Sequence, residues 1–313
     1  MIVADRDKPN FDKDGAHWPH RSASTFVEAG GLTFHAQTMG EGEDFLLLHG
    51  TGASTHSFRA LMPILAKTVR VTAVDLPGHG FTETPLFTQM TLPGVAALTG
   101  AFVEAAGLKP AVIVGHSAGA AVAIRMALDS LVAPRAIVGF NASLQPYAGA
   151  AAPIFSTLAR LLFVNPLTPR VFAATASRRR TEKLLTDTGS TLDAEGVGYY
   201  HTLFKKPGHV NGALAMMAGW NLAPLQEDLP QLKAQLTLVA ASGDRTIPPS
   251  AAAQSAGKVA GGRVVRMKGL GHLAHEEDPE AAAAIILEAA QLAAAAQEGS
   301  GRADEPLSAP GSG

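Results

Sequence analysis

Apolar runs of strand length alternate along this chain with stretches of helical character, and this alternation restricts its fold more than any other feature. Strands that are joined by helices lie parallel in one sheet, and the helices cover both faces of that sheet. We therefore predict the α/β class, with a mostly parallel sheet of eight strands. The predicted strands are 25–28, 32–37, 45–48, 69–74, 111–114, 136–140, 236–240 and 264–267, of which the first two form an antiparallel hairpin. The predicted helices between the strands include 58–65, with Ser54 and Thr55 as caps, and 118–128.

The alternation stops after the sixth predicted strand and resumes before the seventh. The intervening residues are typical of a helical insertion that lies over the strand ends as a lid. Either its apolar residues only pack the lid onto the core, or the stretch 154–164 lines a large apolar pocket or touches a bilayer surface. Arg178–Arg180 forms a solvated helix face, or it meets carboxylates or lipid headgroups. The predicted domains are an irregular N-terminal segment (1–22), a core (23–140 and 224–297), a helical lid or cap (141–223) and a disordered C-terminal tail (298–313).

Charge and composition exclude several classes of function. The formal net charge is −2 and the isoelectric point is near 6.6, so the chain lacks the basic surface that nucleic-acid binding requires. The absence of cysteine excludes disulfides and thiolate metal sites, and it suits a reducing cytoplasm. We expect no stretch to reach the ~20 apolar residues of a membrane-spanning helix, and the first residues lack a signal-peptide core. The prediction is a cytoplasmic protein, either soluble or peripheral to a membrane.

A predicted strand, a sharp turn and a predicted helix surround Gly115–Gly119, which reads Gly-His-Ser-Ala-Gly. In such a turn the serine occupies a strained backbone position that exposes its hydroxyl. The glycines two residues before and two residues after it let neighbouring chains approach without a Cβ clash. A glycine-rich chain can carry this pentapeptide by chance, so its flanks and its partner residues decide its meaning. Ser117 is the leading candidate for a nucleophile.

A serine hydroxyl needs a base that takes its proton and a carboxylate that orients the base. Asp244 follows the predicted strand 236–240, and His272 follows the predicted strand 264–267. The carboxyl ends of parallel strands meet at one edge of a sheet, where functional sites assemble. The alternatives are an exposed loop aspartate and a surface histidine, but the shared placement favours a catalytic triad of Ser117, Asp244 and His272.

Acyl transfer builds negative charge on the carbonyl oxygen of the substrate, and two backbone N–H groups aimed at that oxygen stabilise the transition state. We expect one of these N–H groups to come from Ala118, directly after the nucleophile. The second should come from Thr51, in the loop His49-Gly50-Thr51-Gly52 that follows a buried strand. His49 is predicted to hold this loop by a backbone hydrogen bond rather than to act in catalysis.

Other side chains near these motifs are weaker candidates. The candidate residues of a substrate pocket are His49, Gly50, His116, Phe155, Trp220 and Leu273. The segment 75–80 follows a predicted strand, and its two glycines most simply serve a tight loop; a catalytic role of Asp75 or His79 is the alternative. His201 and His209 could ligate the metal of a tetrapyrrole or serve as hydrogen-bonded structural residues, the more frequent role of a lone histidine. We predict no cofactor and no metal site.

The set of motifs resembles the α/β-hydrolase superfamily over residues 24–297, including the order of nucleophile, acid and histidine along the chain. Within that superfamily the chain closely resembles one branch, the magnesium-chelatase accessory proteins of bacteriochlorophyll biosynthesis. The segments that carry this closer resemblance are 49–58, 75–82, 115–121, 188–190, 209–218 and 269–277. Phe58 stands where a tryptophan is expected in that branch, and this difference puts nothing catalytic in doubt.

The resemblance implies an α/β-hydrolase fold and a role near the insertion of magnesium into protoporphyrin IX, at or near the photosynthetic membrane. The resemblance does not specify a reaction for the protein. No phosphate-binding Gly-x-x-x-x-Gly-Lys-Ser/Thr loop occurs, so the chain is not the ATP-driven motor of a chelatase. Two functions stay open: a serine hydrolase that acts on an ester-type carbonyl, and a protein with an idle triad that binds a porphyrin and delivers it to magnesium chelatase. The expected partners are a small-molecule substrate, such as a porphyrin or its ester, and the chelatase subunits.

Overall fold

A computed structural model describes residues 7–146, 165 and 167–303 of the chain, with residues 299–303 described by their backbone alone. All eight predicted strands are present within these residues and form one sheet. Their bounds are Ser24–Ala29 (β1), Leu32–Met39 (β2), Asp44–Leu48 (β3), Arg70–Val74 (β4), Val112–His116 (β5), Ala136–Phe140 (β6), Gln235–Ala241 (β7) and Arg263–Met267 (β8). Strands β3, β5 and β6 are buried at every position, as expected for parallel strands that are covered on both faces.

The strands follow one another across the sheet in the order β1-β2-β4-β3-β5-β6-β7-β8. The pairs β1–β2 and β2–β4 are antiparallel, and every other neighbouring pair is parallel. The turn Gly30-Gly31 closes the hairpin with positive φ at both residues, a conformation that glycine adopts without strain. The predicted mostly parallel sheet of eight strands is confirmed.

Helices cover both faces of the sheet. Within the described residues the α-helices are, in chain order, Leu61–Leu65 (α1), Leu92–Ala105 (α2), Ala118–Leu128 (α3), Thr168–Thr175 (α4), Arg178–Asp187 (α5), Ala194–Phe204 (α6), Pro207–Gly219 (α7), Ala223–Asp228 (α8), Ser250–Ala256 (α9), Ala274–Glu277 (α10) and Pro279–Ala303 (α11). Helices α2 and α3 pack on one face, against Ile113 of β5. Helices α1 and α11 pack on the other face, against Val112. These two neighbours point to opposite faces because side chains alternate along a strand.

The helix that the sequence predicts over residues 58–65 is interrupted. A 3₁₀ turn spans Thr55–Phe58, and the α-helix begins only at Leu61. Ser54, expected as a cap, makes no capping hydrogen bond. Pro63 has no N–H and fits without penalty only in the first turn of a helix, so the helix must begin close before it.

The last helix corrects two expectations. Residues 298–303, predicted as part of a disordered tail, continue α11, because extending a formed helix costs far less than starting one. By length and composition, Pro279–Glu298 is also long and apolar enough to cross a membrane, contrary to the sequence expectation. One side of this helix nevertheless packs on the sheet, where Ala282, Ile286 and Ala290 are buried. This packing is typical of a core helix that covers a parallel sheet.

Helices α4 to α7 form the described part of the insertion between β6 and β7. Helix α5 packs against α6, and α4 packs against α7. A small apolar cluster joins the insertion to the core, and its buried members are Ala53, Leu185, Val197, Tyr200 and Leu273. The apolar stretch 154–164, with Phe155, lies outside the described residues.

Candidate active site

Ser117 lies in the turn between β5 and α3. Its backbone has φ 49° and ψ −112°, a conformation that is costly for a residue with a side chain. The turn is held by a hydrogen bond from Ser117 N to Phe140 O at 2.9 Å. It requires both flanking glycines, because a Cβ on Gly115 would lie 2.3 Å from a backbone nitrogen of α3 and one on Gly119 would lie 2.1 Å from Leu48 O. The expected strand, turn and helix are therefore present, with Ser117 partly exposed at the carboxyl end of β5.

Asp244 and His272 are hydrogen-bonded to each other. His272 Nδ1 donates to Asp244 Oδ2 at 2.8 Å, and only 9% and 1% of the two side chains are exposed, respectively. Asn141 Nδ2 donates a second hydrogen bond to the same oxygen at 2.7 Å. The other oxygen, Oδ1, accepts from the backbone N–H groups of Thr246 and Ile247 at 2.7 and 2.9 Å. These donors fix the orientation of the carboxylate.

Burial of the Asp244 carboxyl raises its pKa, but the hydrogen bonds and positive charge around it outweigh burial. His272 contributes a hydrogen bond and charge, and Ile247 and Asn141 contribute hydrogen bonds, so the pKa of Asp244 lies below its ordinary value. An ionised Asp244 keeps the proton of His272 on Nδ1 and leaves Nε2 as an acceptor.

Of the three predicted triad residues, Asp244 and His272 are directly hydrogen-bonded. In the described part of the chain, no hydrogen bond links the Ser117 hydroxyl to the His272 ring. The loop of His272 is tied to β5 by a hydrogen bond from His116 Nε2 to His272 O at 2.9 Å. Catalytic hydrogen bonds are often long in unliganded enzymes and shorten when substrate binds. The catalytic roles of the three residues stay predictions at this point.

His49 orients the peptide group between Gly50 and Thr51. Its Nδ1 donates to Gly50 O at 2.8 Å, and its Nε2 accepts from Leu76 N at 2.9 Å. Burial lowers the pKa of His49 although the charge of Asp75 acts in the opposite direction. The lowered pKa keeps the ring neutral. Because a trans peptide places its N–H opposite its C=O, the Thr51 N–H points away from the His49 ring. The prediction that His49 holds this loop by a backbone hydrogen bond is confirmed.

The loop of Thr51 lies directly beside the nucleophile turn. A Cβ on Gly50 would lie 3.1 Å from Ser117 Cβ, so a side chain at residue 50 would crowd the nucleophile. Ala118 is the first residue of α3, and the first N–H groups of a helix have no partner within the helix. Two N–H groups with suitable chemistry thus lie near Ser117, and their joint action on one oxygen stays a prediction.

The segment 188–190 of the insertion packs on the loops that carry the Asp–His pair. The Thr188 carbonyl accepts a hydrogen bond from Arg245 N at 3.0 Å, directly after the aspartate. Ser190 Oγ accepts from Leu273 N at 2.8 Å, directly after the histidine. The glycine between them has φ +93°, and a Cβ there would lie 2.0 Å from a carbonyl oxygen of the aspartate loop. The insertion therefore touches the backbone beside both residues.

The remaining polar candidates have structural partners. His201 is partly exposed, with Nδ1 3.3 Å from Thr181 Oγ1. His209 is buried, and both its ring nitrogens bond to the backbone. Asp75 accepts hydrogen bonds from two backbone N–H groups and from His35, so its carboxylate has structural partners. Among the residues that the structure describes, no group of three or more histidine, aspartate or glutamate side chains is arranged to hold a metal ion.

The candidate pocket residues have different surroundings. Both ring nitrogens of His49 form hydrogen bonds with backbone groups. Gly50 lies close to the ring of His116, because a Cβ on Gly50 would lie 2.7 Å from His116 Nδ1. Leu273 is buried between the core and the insertion. Trp220 packs against the core at the end of α7, and its buried indole N–H has no acceptor among the described residues. Their roles in substrate binding stay predictions.

Two groups of residues around the site were not predicted from the sequence. Asn141 follows β6 directly, so the rule that identified Asp244, a polar residue after a parallel strand, would also have identified Asn141. Arg59 and Glu276 form a largely buried ion pair, and Tyr200 Oη donates to Glu276 Oε1 at 2.7 Å. These contacts join α6 of the insertion to α10, and no local sequence pattern predicts them.

His275 makes the stability of the fold sensitive to acid. Its side chain is buried, and neither ring nitrogen has a hydrogen-bond partner in the described structure. Burial, together with the charges of His272 and Arg59, lowers its pKa from 6.5 to about 3. Because this folded-state pKa lies below the unfolded-state value, the unfolded chain binds more protons below pH 6.5, and stability falls as the pH falls. At pH 5 the loss is about 2 kcal/mol.

We expect His275→Leu to remove this part of the acid sensitivity. Its free energy of unfolding should be close to that of the parent at pH 8 and about 2 kcal/mol higher than that of the parent at pH 5, measured by urea titration. His17→Leu, at an exposed histidine, is the matched control and should leave the pH dependence unchanged. An equal loss of stability between pH 8 and pH 5 in the parent and in His275→Leu would contradict the explanation.

Sequence comparison matches most of the chain both to a family and to a relative. A family model described as the alpha/beta hydrolase family matches residues 45–285. The magnesium-chelatase 30 kDa subunit of Rhodobacter capsulatus is 40% identical over 276 residues, which are 87% of this chain and 96% of that protein.

Solved structures share the fold at low sequence identity. The epoxide hydrolase CorEH without ligand superposes with a TM-score of 0.73 and 20% identity, over 85% of this chain and 97% of that one. CarC, a serine hydrolase involved in carbazole degradation, superposes with a TM-score of 0.69 and 21% identity, over 86% and 98% of the two chains. At these identities the likeness concerns the fold alone.

Proposed function

The chain belongs to the α/β-hydrolase family, and from this premise we propose that it is a serine hydrolase that cleaves an ester-type carbonyl with Ser117, His272 and Asp244. The observation that carries the proposal is the hydrogen bond between His272 and a firmly held Asp244 at the sheet edge where Ser117 occupies a strained turn. Backbone strain at a serine beside such a pair is the arrangement that a nucleophile requires.

The reaction proceeds through an acyl-enzyme. Ser117 Oγ attacks the carbonyl carbon while His272 Nε2 takes the hydroxyl proton, and the carbonyl oxygen becomes an oxyanion. The oxyanion then collapses, the bond to the ester oxygen breaks, and His272 gives its proton to the leaving alcohol. Water, deprotonated by His272, then attacks the carbonyl carbon of the acyl-Ser117. The bond to Ser117 Oγ breaks, His272 returns its proton to Oγ, and the acid is released. Asp244 stabilises the imidazolium that forms in each half of the reaction.

The oxyanion is stabilised by the N–H groups of Thr51 and Ala118. His49 sets the direction of the first donor before substrate arrives, because it holds the carbonyl of Gly50 in the same peptide group. The second donor lies at the N-terminus of α3, where the helix dipole adds positive potential. Both donors are therefore in place before charge develops on the substrate.

Serine at the nucleophile position favours ester chemistry. Epoxide opening in this fold requires a carboxylate nucleophile, and Ser117 cannot supply one. The close relation to the magnesium-chelatase 30 kDa subunit supports a role of the proposed activity beside magnesium chelatase, in bacteriochlorophyll biosynthesis. On this proposal the substrate is a small ester, a porphyrin ester among the candidates, and the chelatase subunits are partners. The protein works in the cytoplasm, peripheral to the photosynthetic membrane, with the insertion as a lid over the site.

Turnover of short p-nitrophenyl esters tests the hydrolase function. The parent protein should release p-nitrophenol from the acetate and the butyrate with saturation kinetics, and an initial burst should report accumulation of acyl-Ser117. Buffer and heat-denatured protein serve as controls. A folded parent protein without turnover above the controls would contradict the hydrolase function.

A second function, porphyrin delivery with an idle triad, is favoured by the relation to the chelatase subunit. Under this function protoporphyrin IX should quench the fluorescence of Trp18→Phe saturably, because Trp220 is then the sole tryptophan. Ser117→Ala should also complement a strain that lacks the protein. Absent or unsaturable quenching would exclude the second function, and failed complementation would show that the biological role needs the nucleophile.

A further inference from the structure

We propose that His209, in the helical insertion, is a positioning residue for the loop His49–Gly52. This loop carries the proposed oxyanion donor, the N–H of Thr51, and is called the oxyanion loop below. The proposal rests on the hydrolase function proposed above and adds to it a residue from outside the core. It also assigns a role to the 209–218 segment of the insertion, which the triad chemistry leaves unexplained.

His209 bridges two loops of the core. Its Nε2 donates to Gly52 O at 3.0 Å, and its Nδ1 accepts from Gly80 N at 3.0 Å. A backbone N–H can only donate, so Nδ1 is the unprotonated nitrogen and Nε2 carries the proton. Gly52 follows Thr51, so this hydrogen bond fixes the carbonyl group one residue beyond the proposed oxyanion donor.

The bridge requires a neutral ring. Burial lowers the pKa of His209 to about 4, although the hydrogen bond to Gly52 and the charge of Asp75 act in the opposite direction. A neutral imidazole donates and accepts at the same time, whereas a protonated ring would lose the hydrogen bond from Gly80 N. The ring therefore holds both loops throughout the neutral pH range.

The face of α7 that carries His209 also supports the same loops by packing. A Cβ on Gly212 would lie 1.9 Å from Gly78 O, so the helix backbone touches the loop that contains Gly80. Met216 is buried, and its Sδ accepts a hydrogen bond from Thr51 Oγ1 at 3.3 Å. Residues 209, 212 and 216 lie on one side of a helix because of its 3.6-residue period.

The oxyanion loop is thus supported from two directions. His49, from the core, fixes the carbonyl before Thr51, and His209, from the insertion, fixes a carbonyl after it. Oxyanion donors act on charge that develops in the transition state, so a displaced donor lowers kcat more than it weakens substrate binding.

His209→Ala tests the proposal, with His201→Ala as the matched control in the same insertion. We expect kcat of His209→Ala for p-nitrophenyl butyrate to fall roughly 10²-fold, the effect of a displacement of about 1 Å, while KM stays within about threefold of the parent value. The affinity for a boronic acid transition-state analogue should fall in parallel with kcat/KM. His209→Gln, whose amide donates and accepts, should restore most of kcat. His201→Ala should match the parent protein.

Several outcomes would overturn the proposal. A folded His209→Ala variant with kcat/KM within about twofold of the parent value contradicts it. If His209→Ala does not fold, His209→Asn carries the same test, because its Oδ1 can accept from Gly80 N while Gly52 O loses its donor. If the parent protein itself shows no turnover, the hydrolase function fails and hydrogen exchange decides the positioning role. The amide of Ala53, which donates to Gly50 O across the Thr51 loop, should then exchange faster in the variant than in the parent and in His201→Ala, and unchanged exchange contradicts the proposal.

Discussion

Ser117→Ala is expected to lower kcat for ester hydrolysis by roughly 10⁴- to 10⁶-fold. The substitution removes only the hydroxyl, and without it neither attack on the carbonyl nor the acyl-enzyme is possible. The fold should be retained, because Ser117 makes no side-chain hydrogen bond in the described structure and alanine meets the same backbone strain at φ 49°. Initial rates with p-nitrophenyl butyrate and thermal unfolding, measured on the same preparations, test both statements.

Ser250→Ala is the matched control, at an exposed serine that begins α9. It should keep the parent kcat and the parent melting temperature. If folded Ser117→Ala retained more than about a tenth of the parent kcat, ester hydrolysis would not depend on this hydroxyl and the proposed nucleophile would be wrong.

Asp244→Asn is expected to lower kcat by about 10⁴-fold with little change in structure. The N–H groups of Thr246 and Ile247 require an acceptor, so the asparagine oxygen stays at the position of Oδ1. Its NH₂ group then occupies the position of Oδ2 and faces His272 Nδ1. Because two donors cannot bond, His272 adopts the other tautomer, with its proton on Nε2. In that tautomer it cannot accept the proton of Ser117.

Asn141 allows this variant to fold. Its Nδ2 donates to Asp244 Oδ2 in the parent protein, while its Oδ1 is buried without a partner in the described structure. A turn of the Asn141 amide therefore offers an acceptor to the new NH₂ group. Asp187→Asn, at an exposed aspartate paired with Lys183, is the control and should keep the parent kcat. A folded Asp244→Asn variant within about tenfold of the parent kcat would contradict the role of the aspartate.

The strands and the nucleophile turn could be predicted because each depends on residues that are close in the chain. Strands β3, β5 and β6 are continuous apolar runs, and the glycines at 115 and 119 flank Ser117 within one pentapeptide. The observed bounds of α3 match the predicted helix 118–128. The first helix was mispredicted because apolar periodicity carried more weight than the missing N–H of Pro63.

The supports of the site could not be predicted in the same way, because they join residues that are distant in sequence. His209 is 157 positions from Gly52 and 129 positions from Gly80. From the sequence alone it could be a metal ligand or a structural residue, and only the partners of both ring nitrogens distinguish the two roles. The contacts of Ser190 and of the Arg59–Glu276 pair cannot be predicted from the sequence for the same reason.

Activation of Ser117 by His272 and Asp244 is tested most directly by the rate and position of labelling with a fluorophosphonate, mapped by mass spectrometry of peptides. We predict a single adduct on Ser117 in the parent protein, no adduct at residue 117 in Ser117→Ala, and labelling at least about 10³-fold slower in Asp244→Asn. A folded parent protein that stays unlabelled at Ser117, or an Asp244→Asn variant that is labelled as fast as the parent, would contradict a working triad.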